Sequence, residues 1–322
     1  MSVTGPVTEV IRVAGDHVPG LLARVEERLA ALATEHGEAL ATHAGATIAA
    51  GGKRLRPLLV FLAAGDHDGD GLVRAAAAVE LVHSATLVHD DVLDGASLRR
   101  GVPTVVATAG RGAATATGDL LFARAFAELL ANGRADEIRV LSNASCALAE
   151  GELLQRADAW DAAVPVERYL HRCELKTARL FEAACRLGAM EGGGDADALG
   201  AFGRRIGLAF QLLDDVLDVS GPAERTGKHR GTDLLDGTVT LPWILARERD
   251  PVLAGLDPRE IRDPGAAGRV CDRIEATGAL DEARRRALGM VAEAKQQLPR
   301  DLSGRRRAAL DLVADGVVAR YA

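Results

Sequence analysis

Apolar residues recur at i, i+3, i+4 and i+7 through most of the chain, the period of helices that bury one face. That pattern predicts helices near 18–35, 38–50, 55–65, 71–94, 112–131, 135–158, 166–190, 195–219, 239–249, 257–277, 279–298 and 304–321. Breakers stand between them: Gly51-Gly52, the stretch from Gly65 to Gly71, Gly101 to Pro103, Asn132-Gly133, Gly192 to Gly194 and Gly221-Pro222. There is no convincing strand alternation, no low-complexity linker and no fixed-period repeat. The expected fold class is all-α, a single-domain helical bundle spanning 1–322.

Composition sharpens this expectation. At 322 residues and 48% hydrophobic, the chain can bury a large core, and aromatics at only 3% favour closely packed helices over sheets. A net charge of −7 gives no nucleic-acid footprint. No run of about 18 apolar residues stands uninterrupted, so no transmembrane segment is expected. The first residues carry no basic-then-apolar leader pattern. Cys146, Cys173, Cys185 and Cys271 show no metal-ligand spacing and read as small buried thiols in a reducing cytoplasm. Of 39 basic residues only Lys53, Lys176, Lys228 and Lys295 are lysine, so a retained lysine marks a place for a compact ammonium.

The pentapeptide Asp-Asp-Val-Leu-Asp occurs twice, as Asp90, Asp91 and Asp94 with their spacers and again as Asp214, Asp215 and Asp218. On a helix the first and last carboxylates of each copy share one face, with the second Asp one residue round. Like charges so crowded want a cation, and Mg²⁺ is typically held by one or two carboxylates plus substrate phosphates. Two such faces, far apart in sequence, suggest one cavity that holds a phosphorylated ligand. Arg99-Arg100 follow the first copy directly, which suits a polyanion gripped by guanidinium forks; acids and bases pairing on a surface is the bland alternative.

Gly51-Gly52-Lys53-Arg54-Leu55-Arg56-Pro57 puts cations at a helix N-terminus, where they oppose the macrodipole and want an anion. It is not a P-loop, because Arg54 stands at the Ser/Thr position; a solvated basic turn is the other reading. Lys176-Thr177 lie in a helix, and Gln211 shares a helix face with Asp214 and Asp215. The polar stretch 220–238, with Gly227-Lys228, Gly231 and Asp233, is a candidate mobile lid. Asp66 to Gly71 mimics the start of a calcium loop, but Ala77 replaces the required Glu.

Taken together, and in this order, these elements resemble the trans-isoprenyl diphosphate synthase (polyprenyl synthetase) family, with a motif core of about 51–242. The resemblance implies a helical fold around a deep central cavity, a homodimer, and head-to-tail condensation of isopentenyl diphosphate with an allylic diphosphate. By family analogy Lys53, Arg56, His83 and Arg100 hold isopentenyl diphosphate. Asp90, Asp94, Asp214 and Asp218 gather Mg²⁺, about three ions per site, on the allylic diphosphate. Arg99, Lys176, Thr177, Gln211 and Lys228 grip that same group, while Asp91 and Asp215 complete the catalytic clusters. One departure is Thr238, where the family often carries a further Lys, so one cationic contact is missing.

The resemblance also makes the helix before Asp90 a wall for the growing tail. Ala85 and Thr86 are small where shorter-chain members commonly place an aromatic, and Val82 one turn deeper, then Val79, are again not aromatic. A turn of about 5.4 Å approximates one isoprene unit, so side-chain size acts as a ruler. Leu121, Phe122, Ala125 and Phe126 are candidates for the facing wall. The expected product exceeds about twenty carbons and falls near thirty to fifty. Alternatives are a geranylgeranyl diphosphate synthase, a non-catalytic partner subunit and a class I terpene cyclase.

Overall fold

The computed structural model describes residues 5–35, 38–49, 51–52, 54–99, 101–221 and 229–319. Lys53, Arg100 and Lys228, with the 222–228 part of the expected lid, lie outside the described residues. The all-α expectation is met: the described residues form helix after helix, with one two-stranded hairpin among them. The chain packs as two compact units. Met1–Ser145, Leu180–Gly203 and Gln297–Val313 make the first, and Cys146–Arg179, Arg204–Gln296 and Ala314–Ala322 the second.

The first unit opens with α1 (Gly5–Ala14), α2 (His17–Thr34), α3 (Glu38–Ala49), α4 (Leu55–Ala64) and α5 (Asp70–Asp94). Helix α1 lies before the first expected helix near residue 18; Pro6 in its first turn loses no hydrogen bond and leaves the helix intact. Helix α5 is the core element, with Leu72, Val79, Leu81, Val82 and Ala85 fully buried. An 18-residue window of it has mean hydropathy 1.3, enough by length and composition to cross a membrane. Here that apolarity faces neighbours, since α5 packs on α2, α4 and α6 (Val105–Leu130).

Strands β1 (Leu98–Arg99) and β2 (Val102–Pro103) pair antiparallel between α5 and α6, Leu98 opposite Pro103 and Arg99 opposite Val102. Two-residue strands are too short to show alternation, which is why the pattern missed them. Gly101, at φ 77, makes the turn. Helix α6 begins at Val105, earlier than its apolar period indicates, because its first turns are exposed and Thr104 caps them by accepting from Ala107 N at 3.2 Å. Gly110 (φ 81, ψ 171) then breaks the helical geometry. Where α6 crosses α5, Gly118 leaves no room for a side chain: a Cβ there would lie 2.2 Å from the His89 ring.

Helix α7 (Ala135–Ala157) leads to α8 (Val166–Cys173), a π-helical turn (Glu174–Ala178) and α9 (Arg179–Glu191), where one continuous helix was expected. Helix α10 (Ala196–Ser220) carries the second acidic pentapeptide. Shorter helices follow: α11 (Thr232–Leu235), α12 (Leu241–Arg249) and α13 (Pro251–Gly255). The helix expected at 257–277 is a 3₁₀ turn (Pro258–Glu260) and then α14 (Pro264–Ala276), because Asp263 caps a fresh start with Pro264 in its first turn. Helices α15 (Ala279–Gln296) and α16 (Gly304–Ala319) complete the chain.

Candidate active site

In the first unit, the acidic pentapeptide occupies the last turn of α5. Gly95 in the left-handed region (φ 63) ends the helix by donating its N–H to Asp91 O, immediately after Asp94. Asp90, Asp91 and Asp94 therefore sit at the negative end of the helix dipole as well as beside one another, so both effects call for positive charge. The three do not behave alike. Asp91 is buried and receives Arg99 from β1, with Nε at 2.8 Å and Nη2 at 2.7 Å from Oδ1. Asp90 is half-buried and Asp94 exposed. Arg99, expected to grip substrate, thus already holds the pentapeptide's second carboxylate.

The basic motif lies in the same unit. Arg54 adopts a left-handed backbone (φ 47), costly for a residue with a side chain, and is buried. Its guanidinium bonds Glu26 through Nε at 2.6 Å and Nη2 at 3.0 Å, Glu80 through Nη1 at 2.6 Å, and Ile48 O at 3.0 Å. Burial works against the Arg54 charge, but Glu26 and Glu80 outweigh it and raise the pKa. Arg56, half-buried, lays its guanidinium 4.8 Å from the centre of the Phe181 ring. Arg54, Glu26 and Glu80 were missed as site residues. The signal was present: Glu80 is a charge inside Val79-Glu80-Leu81-Val82, and a buried charge requires a partner.

Along α5, Ala85, Val82 and Val79 are fully buried, and half-buried Thr86 bonds its hydroxyl to His83 O at 2.8 Å. His83 is half-buried. On α6, Leu121 and Ala125 are buried, and Phe122 and Phe126 half-buried. The Phe122 ring lies 5.8 Å from that of His89.

In the second unit, the other pentapeptide lies in the final turns of α10, again at a helix C-terminus. The second of its three aspartates, Asp215, is again the buried one, and accepts from Tyr169 Oη at 2.6 Å and Gln211 Nε2 at 2.7 Å. Burial pushes Asp215 up even though Tyr169 and Gln211 both favour its ionised form. Thr177 donates to Gln211 Oε1 at 2.7 Å, and Lys176 bonds Glu152 on α7. Burial opposes the Glu152 charge, but Lys176 and Arg156 outweigh it and lower the pKa. Asp214 is exposed, and half-buried Asp218 accepts from Thr232 N and Asp233 N at 3.2 Å each.

Asp218 thereby anchors the segment that resumes after the undescribed stretch. Gly231 N also donates to Asp218 O at 2.8 Å. Downstream, Gly237 (φ 71) accepts from Trp160 N at 2.9 Å, and a Cβ there would lie 2.2 Å from the Trp160 ring. Arg172 bonds Val239 O. Thr238, at the position of the family lysine, is tied by its N–H to Asp233 O at 2.8 Å.

Residues 38–256 match the family described as polyprenyl synthetase. The chain belongs to the polyprenyl synthetase family. It is 39% identical over 274 residues to heptaprenyl diphosphate synthase component 2 of Geobacillus stearothermophilus, covering 81% of this chain and 85% of that one. It is 38% identical over 263 residues to geranylgeranyl diphosphate synthase of Methanosarcina mazei, covering 77% and 80%. The solved polyprenyl synthase of Caulobacter crescentus CB15, complexed with calcium and isoprenyl diphosphate, superposes with TM-score 0.90 at 36% identity over 98% of both chains.

For a polyprenyl synthetase the donor chemistry fits a hard divalent cation. Burial and the carboxylates of Asp218, Asp215, Asp214 and Asp236 push Asp233 well up, a repulsion that a bound cation would relieve. Among the described residues no group of three or more His, Cys, Asp or Glu side chains converges tightly enough to hold an ion by itself. One or two carboxylates completed by phosphate and water is the coordination Mg²⁺ favours.

Proposed function

We propose that this polyprenyl synthetase condenses isopentenyl diphosphate head-to-tail with an allylic diphosphate, giving a trans-polyprenyl diphosphate. The observation that carries the reading is the pair of Asp-rich pentapeptides, each in the last turns of a helix, where repulsion and the helix dipole both demand cations. Asp90, Asp94, Asp214 and Asp218 would hold Mg²⁺, about three ions per site, against the allylic diphosphate. When bound, the metal neutralises charge developing on the departing pyrophosphate.

The chain's own residues bind and orient. Lys53, Arg56, His83 and Arg100 hold isopentenyl diphosphate, with Arg56 steadied on Phe181. Arg99, Lys176, Thr177, Gln211 and Lys228 serve the allylic diphosphate, and Lys176 exchanges part of its bond with Glu152 for phosphate. No protein nucleophile is required. Ionisation of the allylic C–O bond gives a carbocation, the isopentenyl C=C attacks it, and pyrophosphate takes the released proton. Exclusion of water from the site protects the cation from quenching. We place the enzyme in the cytoplasm from its free thiols, of which Cys173, Cys185 and Cys271 are buried as expected while Cys146 is exposed instead, and as a homodimer from the family resemblance.

The product is assigned as longer than about twenty carbons, from small Ala85, Val82 and Val79 on the α5 wall. The heptaprenyl relative favours this length and the geranylgeranyl relative the shorter alternative. The relative's designation as component 2 supports a second reading, a subunit that works with a partner chain. Incubation of the full chain with labelled isopentenyl diphosphate, Mg²⁺ and ten-, fifteen- or twenty-carbon primers, followed by product sizing, tests these readings. Incorporation confirms prenyl transfer. No incorporation with any primer overturns an autonomous synthase.

A further inference from the structure

The π-helical turn at Glu174–Ala178 interrupts what would otherwise be one helix, and it carries Lys176 and Thr177. The N–H of Arg179 donates to Glu174 O, five residues back, which widens the turn. Gly151 on α7 makes room for it: a Cβ there would lie 2.5 Å from Lys176 N. Such turns cost regular hydrogen bonding and concentrate at functional sites. Something must hold this one in register.

A buried chain of hydrogen bonds does so. Tyr169, fully buried on α8, donates to Asp215 Oδ2 at 2.6 Å. Asp215 Oδ1 accepts from Gln211 Nε2 at 2.7 Å, and Gln211 Oε1 accepts from Thr177 Oγ1 at 2.7 Å. The directions are mutually enforced. A carboxylate only accepts, so Gln211 turns its nitrogen to Asp215 and its oxygen to Thr177. The Thr177 hydroxyl proton is therefore spent on Gln211, while the Gln211 amide keeps a second N–H for a ligand.

We propose that Tyr169 is a positioning residue for prenyl transfer: through Asp215 it fixes the Gln211 amide and the Lys176–Thr177 turn in the orientation that receives the allylic diphosphate. Asp215 is then a brace within the second acidic cluster, and Gln211 is the member of the chain that touches substrate. This rests on the prenyl-transfer reading above.

Tyr169→Phe deletes one oxygen and keeps the ring, so packing is preserved. Steady-state kinetics with Mg²⁺, varying each substrate at saturating levels of the other, should show the primer KM raised about tenfold, the size of one lost hydrogen bond. The KM for isopentenyl diphosphate should stay within about twofold, and kcat within about threefold. In a Gln211→Leu background, adding Tyr169→Phe should change the primer KM by less than about twofold, because the chain is already cut. Equal rises in both KM values, a fall in kcat alone, or full additivity with Gln211→Leu overturns the proposal. Should Tyr169→Phe not fold, Gln211→Leu alone must show the primer-selective rise, and its absence overturns the proposal equally. An inactive wild type removes the prenyl-transfer reading itself, whereas an active wild type with an unaltered Tyr169→Phe variant removes only this inference.

Discussion

Arg99 on the β-hairpin is bonded to Asp91 in the last turn of α5, with two guanidinium nitrogens within 2.8 Å of one carboxylate oxygen. The pentapeptide is thereby divided between a buried carboxylate that holds a neighbouring strand and two more accessible ones, half-buried Asp90 and exposed Asp94. Asp215 repeats the arrangement in α10, with Tyr169 and Gln211 as its partners. Both copies of Asp-Asp-Val-Leu-Asp place a brace at the second position. The shared reason is helical: the second Asp lies one residue round from the face shared by the first and last.

Asp90→Asn and Asp91→Asn should therefore differ in kind. Asp90→Asn, which removes a carboxylate proposed to hold a cation, is expected to lower kcat about a hundred- to a thousandfold and, at a half-buried position, to cost less stability than Asp91→Asn. Asp91→Asn frees Arg99 and is expected to cost about 1.5–3 kcal/mol of stability. Its activity loss should be smaller, about tenfold, and appear mainly in kcat/KM. Parallel thermal melts and kinetics distinguish the two, and identical profiles would contradict the division of labour.

Arg54 stands at the centre of a second device, bonded to Glu80 at 2.6 Å with both side chains buried. Arg54→Met leaves Glu80 buried without its cation, so a loss of about 3–5 kcal/mol in urea unfolding is expected. Glu26 is more accessible, and Glu26→Gln keeps one acceptor, so about 1 kcal/mol is expected there. Because Arg54 precedes Arg56 by two residues, Glu26→Gln should also raise the KM for isopentenyl diphosphate while sparing that for the primer. An equal rise in both would remove Arg54 from any role in orienting the basic motif.

The long helices and both acidic clusters were legible because their information is local: period, breakers and crowded charge lie within one or two turns. The braces were not. Glu80 pairs with Arg54 across 26 residues and Tyr169 with Asp215 across 46, and no local pattern names such partners. The β-hairpin escaped because its strands are two residues long, and the π-turn because its apolar spacing matches that of an α-helix. Lys176 and Thr177 were found as residues, but their partners Glu152 and Gln211 depend on which helices pack together.

Glu137 in α7 is fully enclosed and lies beside Glu191; Asn132 donates to its Oε2 at 2.9 Å, and Arg134 Nε stands 3.5 Å from its Oε1 as an ion pair. Burial first, and then Glu191, push its carboxyl up to about 7, whereas the unfolded chain restores the ordinary value near 4.5. Between those limits the folded state binds more protons than the unfolded one. Stability contributed by this group is therefore complete below pH about 4.5 and declines as pH rises toward about 7, by at most about 1.4 kcal/mol per unit. Urea unfolding of wild type and Glu137→Gln across that range checks the sign. The variant should flatten the profile, and an unchanged slope would assign the dependence elsewhere.

Product length offers the most direct reading of α5. Ala85 is fully buried and Thr86 half-buried, about 1.4 and 1.1 helical turns before Asp90, so an aromatic at either position reaches about one isoprene unit into the space beside the acidic turn. Thr86→Phe is the gentler substitution, because a half-buried position accommodates a ring outward, whereas Ala85→Phe overpacks the core by about 1–3 kcal/mol. Both should shorten the products by at least one unit in chromatographic sizing, with total isopentenyl incorporation falling less than length. Phe122→Ala and Phe126→Ala on α6 should do the reverse if that helix supplies the floor. Unchanged lengths in the α5 variants together with longer products in the α6 variants would move the ruler from α5 to α6. Unchanged lengths in all of them would show that neither helix limits the tail.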